Sequence, residues 1–418
     1  MKSITALILS AALVAILGGC KAYKPLERID WDERVKSAKI KVRISSLEDA
    51  EKLALIGNTT LNQMRCEAAG ADEVIKETGW WEDPEIGLDL SRIVDPAANP
   101  FQGGVSATFT IPISQVYKLE KKAARAYAAS ERSKILSAEN TIAAEARKIA
   151  AALFFIDEKK RVLKAFESDA SIAKAIADSE KLFLAREYTL SDLNSVKRRK
   201  HERDHALMEL DDERISTERE FRAIAGLLSC TEIEIAFTLK EPQTTSLKAP
   251  SPADLARHPA VKAALAELDL KESELETEIR KQYPDLKIGT DISIEKGNDK
   301  AGLFAGMSVP LWNRNRKAIA EARKDRAVKR AEALGVWKSI TVEAKASEER
   351  LATLLAHPAA PASEETDAAG LLEAGEVTPL EYLEIREEIL ALTLENVRWR
   401  RAVTLAHEEL AKYKVISD

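Results

Sequence analysis

One unit occurs twice along this chain, and that repetition limits the available folds more than any other feature. Leu47-Glu48-Asp49-Ala50 leads into Asn58-Thr59-Thr60-Leu61, and Ala253-Asp254-Leu255 leads into His258-Pro259-Ala260-Val261, with Asn58 and His258 200 positions apart. Each begins a charged helix, one expected to reach about Gly79 and the other about Gln282. Pro84-Glu85-Ile86 matches Pro284-Asp285-Leu286, again 200 apart, and Ile111-Pro112-Ile113 matches Val309-Pro310-Leu311 at 198. Arg186-Glu187-Tyr188-Thr189 matches Gly375-Glu376-Val377-Thr378 at 189. Landmarks in one order with a drifting offset place a first repeat at 45–240 and a second at 253–418. Between them, 241–252 is a Pro- and Ser-containing linker without apolar periodicity.

Each unit is expected to run helix, two strands, long helix, tight turn, helix. The strands, at about 85–94, 104–113, 285–295 and 301–311, alternate. Ile86, Leu88 and Leu90 oppose Gly87, Asp89 and Ser91, while Val105, Ala107, Phe109, Ile111 and Ile113 oppose Ser106, Thr108, Thr110 and Pro112. Leu286, Ile288, Ile292 and Ile294 oppose Lys287, Gly289, Asp291 and Ser293, and Leu303, Ala305, Met307, Val309 and Leu311 complete the apolar set. About ten residues with one apolar and one small or polar face suit a transmembrane strand, though a soluble sheet with one buried face alternates in the same way. Aromatics favour the membrane. Trp80, Trp81, Tyr117, Tyr283 and Trp312 all fall at one end of the strands, as an interfacial belt would. Four strands cannot close a membrane barrel, which starts at about eight, so the chain must associate; three copies would supply twelve.

From about Gln115 to Glu187 a single helix of about 110 Å is expected at 1.5 Å per residue. Ile142, Ala146, Ile149, Leu153, Ile156 and Leu163 form a coiled-coil seam along it. Two turns then reverse helices. Thr189 with Asp192, and Thr378 with Glu381, carry the N-cap spacing, and Gly375 and Pro379 stand where a helix ends and the next begins. In the second unit His357-Pro358-Ala359-Ala360-Pro361 interrupts the descending arm, so that segment 357–362 is either kinked or bridged by a loop.

The ends and composition bear on compartment. Lys2 precedes an apolar run from Ile4 to Leu17, too short for a span and shaped like a secretion signal covering 1–19. Leu17-Gly18-Gly19-Cys20 resembles the bacterial lipobox, which implies cleavage before Cys20 and acylation of that residue. Residues 20–44 read as an N-terminal extended segment. Without Lys2 the mature chain has 62 basic and 69 acidic residues, a net charge of −7, which gives no nucleic-acid signature. Cys66 and Cys230 fall at different heights along the helices, about 30 Å and 50 Å below the strands at 1.5 Å per residue. A disulfide needs Cα atoms within about 7 Å, so no bridge is expected.

Over nearly all of the mature sequence the chain resembles the TolC-like outer membrane efflux family. The likeness rests on the turns Gly375-Glu376-Val377-Thr378 with Leu380 and Leu383, and Arg186 to Leu193. It rests also on Leu255-Ala256-Arg257-His258-Pro259 and on the junction Val309-Pro310-Leu311-Trp312-Asn313-Arg314-Asn315-Arg316. That resemblance implies a mainly α protein with transmembrane β, the protomer of a homotrimer with a twelve-stranded β-barrel and an α-barrel tunnel. It implies a lipid-anchored place in the outer membrane with most of the chain in the periplasm, and a passive duct for small molecules or metal ions. A periplasmic adaptor and an inner-membrane pump would meet the tips at Arg186, Glu187, Thr189, Leu190, Asp192, Leu193, Gly375, Glu376, Thr378, Leu380 and Glu381. Family members gate this end with acidic rings, for which Glu364, Asp367 and Glu373 are the candidates here, alongside Glu365 and Glu376. An ordinary solvated helix end accounts for the same acids.

Two other readings compete. His201-Glu202-Arg203-Asp204-His205 has the HExxH spacing of zinc proteases, in which both His bind metal beside a Glu base. Its flanks, Lys197-Arg198-Arg199-Lys200, are charged and no third ligand is in view, so a solvated helix face is expected, with no enzyme activity, metal or cofactor. A periplasmic adaptor lipoprotein also carries helical hairpins, but normally one, set among soluble β-domains.

Overall fold

The computed structural model describes residue 23 and residues 25–36, 41–92, 101–239, 248–295, 298–307, 309–359 and 368–414. The leader, Cys20, Glu364, Glu365 and Asp367 therefore lie outside the described residues. The chain divides into two compact units, 1–40 and 41–418. In the first, a short helix α1 (Trp31–Lys36) starts on Asp30, whose carboxylate accepts from Asp32 N at 2.9 Å and Glu33 N at 3.1 Å.

In the second unit, strand β1 (Lys41–Ile44) precedes helices α2 (Leu47–Gly57) and α3 (Thr59–Glu77). The single first helix expected from sequence is thus two. Asn58 makes the break: its Oδ1 accepts from Leu61 N at 2.9 Å, capping α3, and its Nδ2 donates to the Ile224 carbonyl at 2.9 Å. Strands β2 (Glu85–Arg92) and β3 (Phe101–Ile111) follow, then helices α4 (Val116–Glu167), α5 (Ala170–Leu184) and α6 (Leu190–Ile224), and strand β4 (Glu232–Ile235). After 240–247 come α7 (Pro252–Leu255), α8 (Pro259–Arg280), β5 (Leu286–Glu295), β6 (Asn298–Met307), α9 (Arg316–Ala356), α10 (Ala368–Glu373) and α11 (Pro379–Ala411).

The expected continuous helix from Gln115 to Glu187 is corrected to α4 and α5. Asp169 ends the run, because its side chain accepts from Ser171 N at 2.9 Å and starts a new helix. Along α4 the predicted seam is buried, with Ala146, Leu153 and Ile156 fully enclosed and Ile142 and Ile149 half-buried. In the second arm α9 stops at Ala356 and 357–359 are not helical, since Pro358 disfavours helical backbone in the residue before it.

The strands form two sheets. β2, β3, β5 and β6 lie in that order, antiparallel, with β3 pairing β5 so that the hairpins from the two halves of the chain join edge to edge. β3 and β6 shift at both ends from the sequence expectation, starting earlier, at Phe101 and Asn298, and ending earlier. β3 ends at Ile111, directly before Pro112, which lacks the N–H for a ladder bond, and β6 ends at Met307, shortly before Pro310. At both places the chain turns tightly over that proline, Ile113 N donating to Ile111 O and Leu311 N to Val309 O, each at 2.9 Å. Ile113, Val309 and Leu311 are consequently off the ladder.

The second sheet was not foreseen. β1 and β4 pair in parallel, Val42 opposite Ile233 and Ile44 opposite Ile235, across nearly the whole first half of the chain. Val42, Ile44 and Ile233 pack with Ala50, Ala150, Leu153, Phe221 and Ala225 into a core that fixes α2, α4 and α6 at one height. Gly57 and Gly226 are required there. A Cβ on Gly57 would lie 2.0 Å from the Ala225 carbonyl oxygen, and Gly226 has φ +60°.

Candidate functional site: sheet faces and hairpin tips

The large sheet separates side chains by parity. Cross-strand rows on one face read Leu88, Val105, Ile292, Ala301; then Ile86, Ala107, Thr290, Leu303; then Phe109, Ile288, Ala305. These apolar side chains are not covered: Leu88 is 71 % exposed, Ile86 60 % and Leu303 83 %. Removing so much apolar surface from water is the strongest demand the sheet makes of its surroundings. The opposite face carries Glu85, Gly87, Asp89, Gly104, Ser106, Thr108, Gly289, Asp291, Gly302 and Gly306. One large apolar residue breaks that pattern. Phe304 belongs to the polar face by parity and lies over Gly289, its direct cross-strand partner. Sequence reading passed over it because Leu303-Phe304-Ala305 is apolar whichever parity is chosen.

Both outer strands, β2 and β6, leave one ladder edge without a partner among the described residues. At the helical end of the strands stand Trp80, Trp81, Tyr283 and Trp312, all exposed, and Tyr117, whose ring meets Trp81 edge-on at 6.4 Å. That junction is held by Ser114, which donates from Oγ to Asp285 at 2.8 Å, and by Asn315, which donates to the Glu278 carbonyl at 2.9 Å.

At the other end of the helices the two tips have the same construction. Leu182 O accepts from Glu187 N at 2.9 Å and Leu371 O from Glu376 N at 3.0 Å. Arg186 N bonds Phe183 O and Gly375 N bonds Leu372 O, so both helices close in the Schellman pattern. Arg186 (φ +66°) and Gly375 (φ +69°) occupy its left-handed position. The following helices start in reciprocal capping boxes. Asp192 N donates to Thr189 Oγ1 at 3.3 Å while Asp192 Oδ2 accepts from Thr189 N at 2.9 Å. Glu381 N donates to Thr378 Oγ1 at 3.3 Å and Glu381 Oε2 accepts from Thr378 N at 2.8 Å. Hydrogen bonds from Thr189 and Thr378 hold the Asp192 and Glu381 carboxyls below their usual range. The tips touch: Leu380 N donates to the Tyr188 hydroxyl at 3.3 Å.

Of the predicted tip residues, Arg186, Glu187, Thr189, Leu190, Gly375, Glu376, Thr378 and Glu381 are exposed. Leu193 is buried, Tyr382 and Leu383 belong to the core where the two hairpins meet, and Leu380 packs against that core. Glu373 lies in α10. Asp169 and Arg386, paired at 2.8 Å, were missed as a contact between the hairpins. His201 and His205 are exposed on α6, the latter 3.2 Å from Glu209, and no group of three metal-capable side chains occurs among the described residues. Cys66 and Cys230 are free and exposed. No described helix is long and apolar enough to cross a membrane.

Solved structures share this arrangement. A membrane protein from Pseudomonas aeruginosa matches with TM-score 0.71 at 14 % identity, over 94 % of this chain and all (100 %) of its own. The CmeC outer membrane channel of Campylobacter jejuni matches with TM-score 0.69 at 12 % identity, over 94 % of this chain and 93 % of its own. The outer membrane protein VceC of Vibrio cholerae matches with TM-score 0.65 at 15 % identity, over 87 % of this chain and 94 % of its own. The chain has the fold of these membrane proteins, the CmeC outer membrane channel among them. A mainly helical fold with strands is what the resemblance to the TolC-like family implied. No family model and no curated relative matches the sequence significantly.

Proposed function

We propose that this chain is the outer-membrane channel of a tripartite export system, a homotrimeric passive duct that performs no chemistry. One observation carries the reading. A single chain presents a four-stranded sheet with an uncovered apolar face, a Gly-, Ser- and Asp-rich opposite face, and two unpaired edges. Lipid satisfies the apolar face and closure with further copies satisfies the edges, which is the only way a β-structure can cross a bilayer. Three copies joined β6 to β2 give twelve strands. Cys20 supplies an acyl anchor and the exposed tip residues Arg186, Glu187, Leu190 and Glu376 meet an adaptor and an inner-membrane pump. The two hairpins and the uncovered sheet distinguish this from an adaptor lipoprotein with a single hairpin.

Native mass spectrometry of protein extracted in detergent tests the proposal, with a trimer as the expected species. A Cys20→Ser variant that stays monomeric and soluble without detergent would defeat it.

A further inference from the structure

Phe304 contradicts the face it stands on. Every other described residue on that face of the sheet is glycine or polar, whereas Phe304 is a 43 % exposed aromatic ring. Its position is built. The ring covers Gly289, where a Cβ would come within 2.3 Å of the Phe304 Cζ, so glycine is the residue that lets the ring lie against the strand. One row further along, Asp291 sits opposite Gly302, diagonal to Phe304 on the same face. Asp291 is exposed, and its side chain has no ion pair or hydrogen bond among the described residues. Two independent features, an aromatic face and a free carboxylate, therefore point from one wall into the same space.

Barrel size makes this consequential. Eight strands leave an interior that side chains fill, and sixteen to eighteen leave an open aqueous channel. At twelve, side-chain size on the inner face decides the bore. Gly87, Gly104, Gly302 and Gly306 widen it, and Phe304 is the exception. An exposed ring beside a carboxylate attracts flat molecules by stacking and cations by the quadrupole of its face and by charge.

Resting on the channel reading above, we infer that Phe304 and Asp291 form a contact site for planar aromatic cations on the inner wall of the barrel, one site per chain. The ring stacks on the permeant and Asp291 balances its charge.

Ethidium serves as the probe, titrated against purified protein in a non-ionic detergent and followed by fluorescence anisotropy, with native mass spectrometry on the same sample. The expected result is saturable binding by the trimer, weakened about five-fold in Phe304→Ala, weakened also in Asp291→Asn, and retained in Phe304→Tyr. Because removing the ring uncovers Gly289, Phe304→Leu provides a second variant that keeps apolar bulk there and still loses the aromatic face. A trimer binding ethidium equally well with Phe304, Leu or Ala overturns the site while leaving the channel standing. A sample that is monomeric in detergent overturns the channel reading itself.

Discussion

Arg186 and Gly375 hold the same left-handed backbone position at the two tips, yet only one is the residue that adopts it freely. A side chain at that φ costs roughly 1–2 kcal/mol in a left-handed conformation. Arg186→Gly is expected to raise unfolding stability by about 1 kcal/mol, and Gly375→Ala to lower it by a similar amount, both read as shifts in the thermal midpoint. His258 offers a pH-dependent counterpart. It is buried at the start of α8, where Nδ1 accepts from Ala260 N at 3.2 Å and Nε2 lies 3.3 Å from the Lys412 carbonyl. Asn140 and the Tyr413 ring complete its surroundings, and Tyr413 in turn donates to Glu343 at 3.0 Å. Burial lowers the His258 pKa from 6.5, against the pull of the Lys412 carbonyl. Above pH 6.5 the ring is neutral in both folded and unfolded chains and its contribution is complete. Below that value the unfolded chain takes up a proton that the folded one resists, so stability falls with falling pH. Asn caps a helix and does not titrate. The thermal midpoint of His258→Asn should therefore drop less than that of the parent between pH 7.5 and 5.5. A residual drop is expected from His407, which burial also holds below its ordinary pKa.

Elements are joined by caps as much as by packing. Asp169 both starts α5 and binds Arg386 on α11, so one carboxylate sets the break in the first arm and ties it to the second hairpin. Asp169→Ala should cost about 1 kcal/mol through the cap alone. Arg386→Ala should be non-additive with it in a double-mutant cycle of denaturation midpoints, since the ion pair is lost in either single variant. That cap also marks the limit of the sequence reading. Periodicity carried the long arms, because Ile142 to Leu163 keep one buried seam over several turns. It did not register Asp169 or Asn58, since a capping residue interrupts a helix without disturbing its apolar spacing. The parallel pair of β1 and β4 escaped for a different reason. Each strand is four residues long and its partner lies far along the chain, so no local pattern announces it. The four longer strands were legible from alternation, and their ends were wrong by a few residues where Pro112 and Pro310 turn the chain. At the tips, the Thr189/Asp192 and Thr378/Glu381 spacings predicted the caps, but sequence spacing could not tell that Leu193 points inward.

At the scale of the molecule, the sheet decides between lipid and another protein surface as cover for its apolar face, and two adjacent residues separate the alternatives. Ile292 stands on the uncovered apolar face in a row with Leu88, Val105 and Ala301, and Ser293 stands on the opposite face in a row with Asp89, Gly104 and Lys300. If the first face meets hydrocarbon, a lysine at 292 carries its charge into the bilayer at a cost of about 2–4 kcal/mol near the midplane. A lysine at 293 points instead into an aqueous bore already carrying Lys300, and costs little. The expected outcome is that Ile292→Lys sharply reduces the trimer recovered from membranes, while Ser293→Lys assembles like the parent. Detergent-extracted membranes analysed by native mass spectrometry give the comparison directly. The opposite ranking, with Ser293→Lys disruptive and Ile292→Lys tolerated, would invert the assignment of faces. It would also remove Phe304 from the bore, because the ring shares its parity with Ser293. Equal tolerance of both would mean that neither face meets lipid, and the barrel would be excluded. The two substitutions add the same side chain one residue apart in a single strand, so the general effect of an added charge cancels, and the direction of the side chain and the apolar group lost at 292 make the difference.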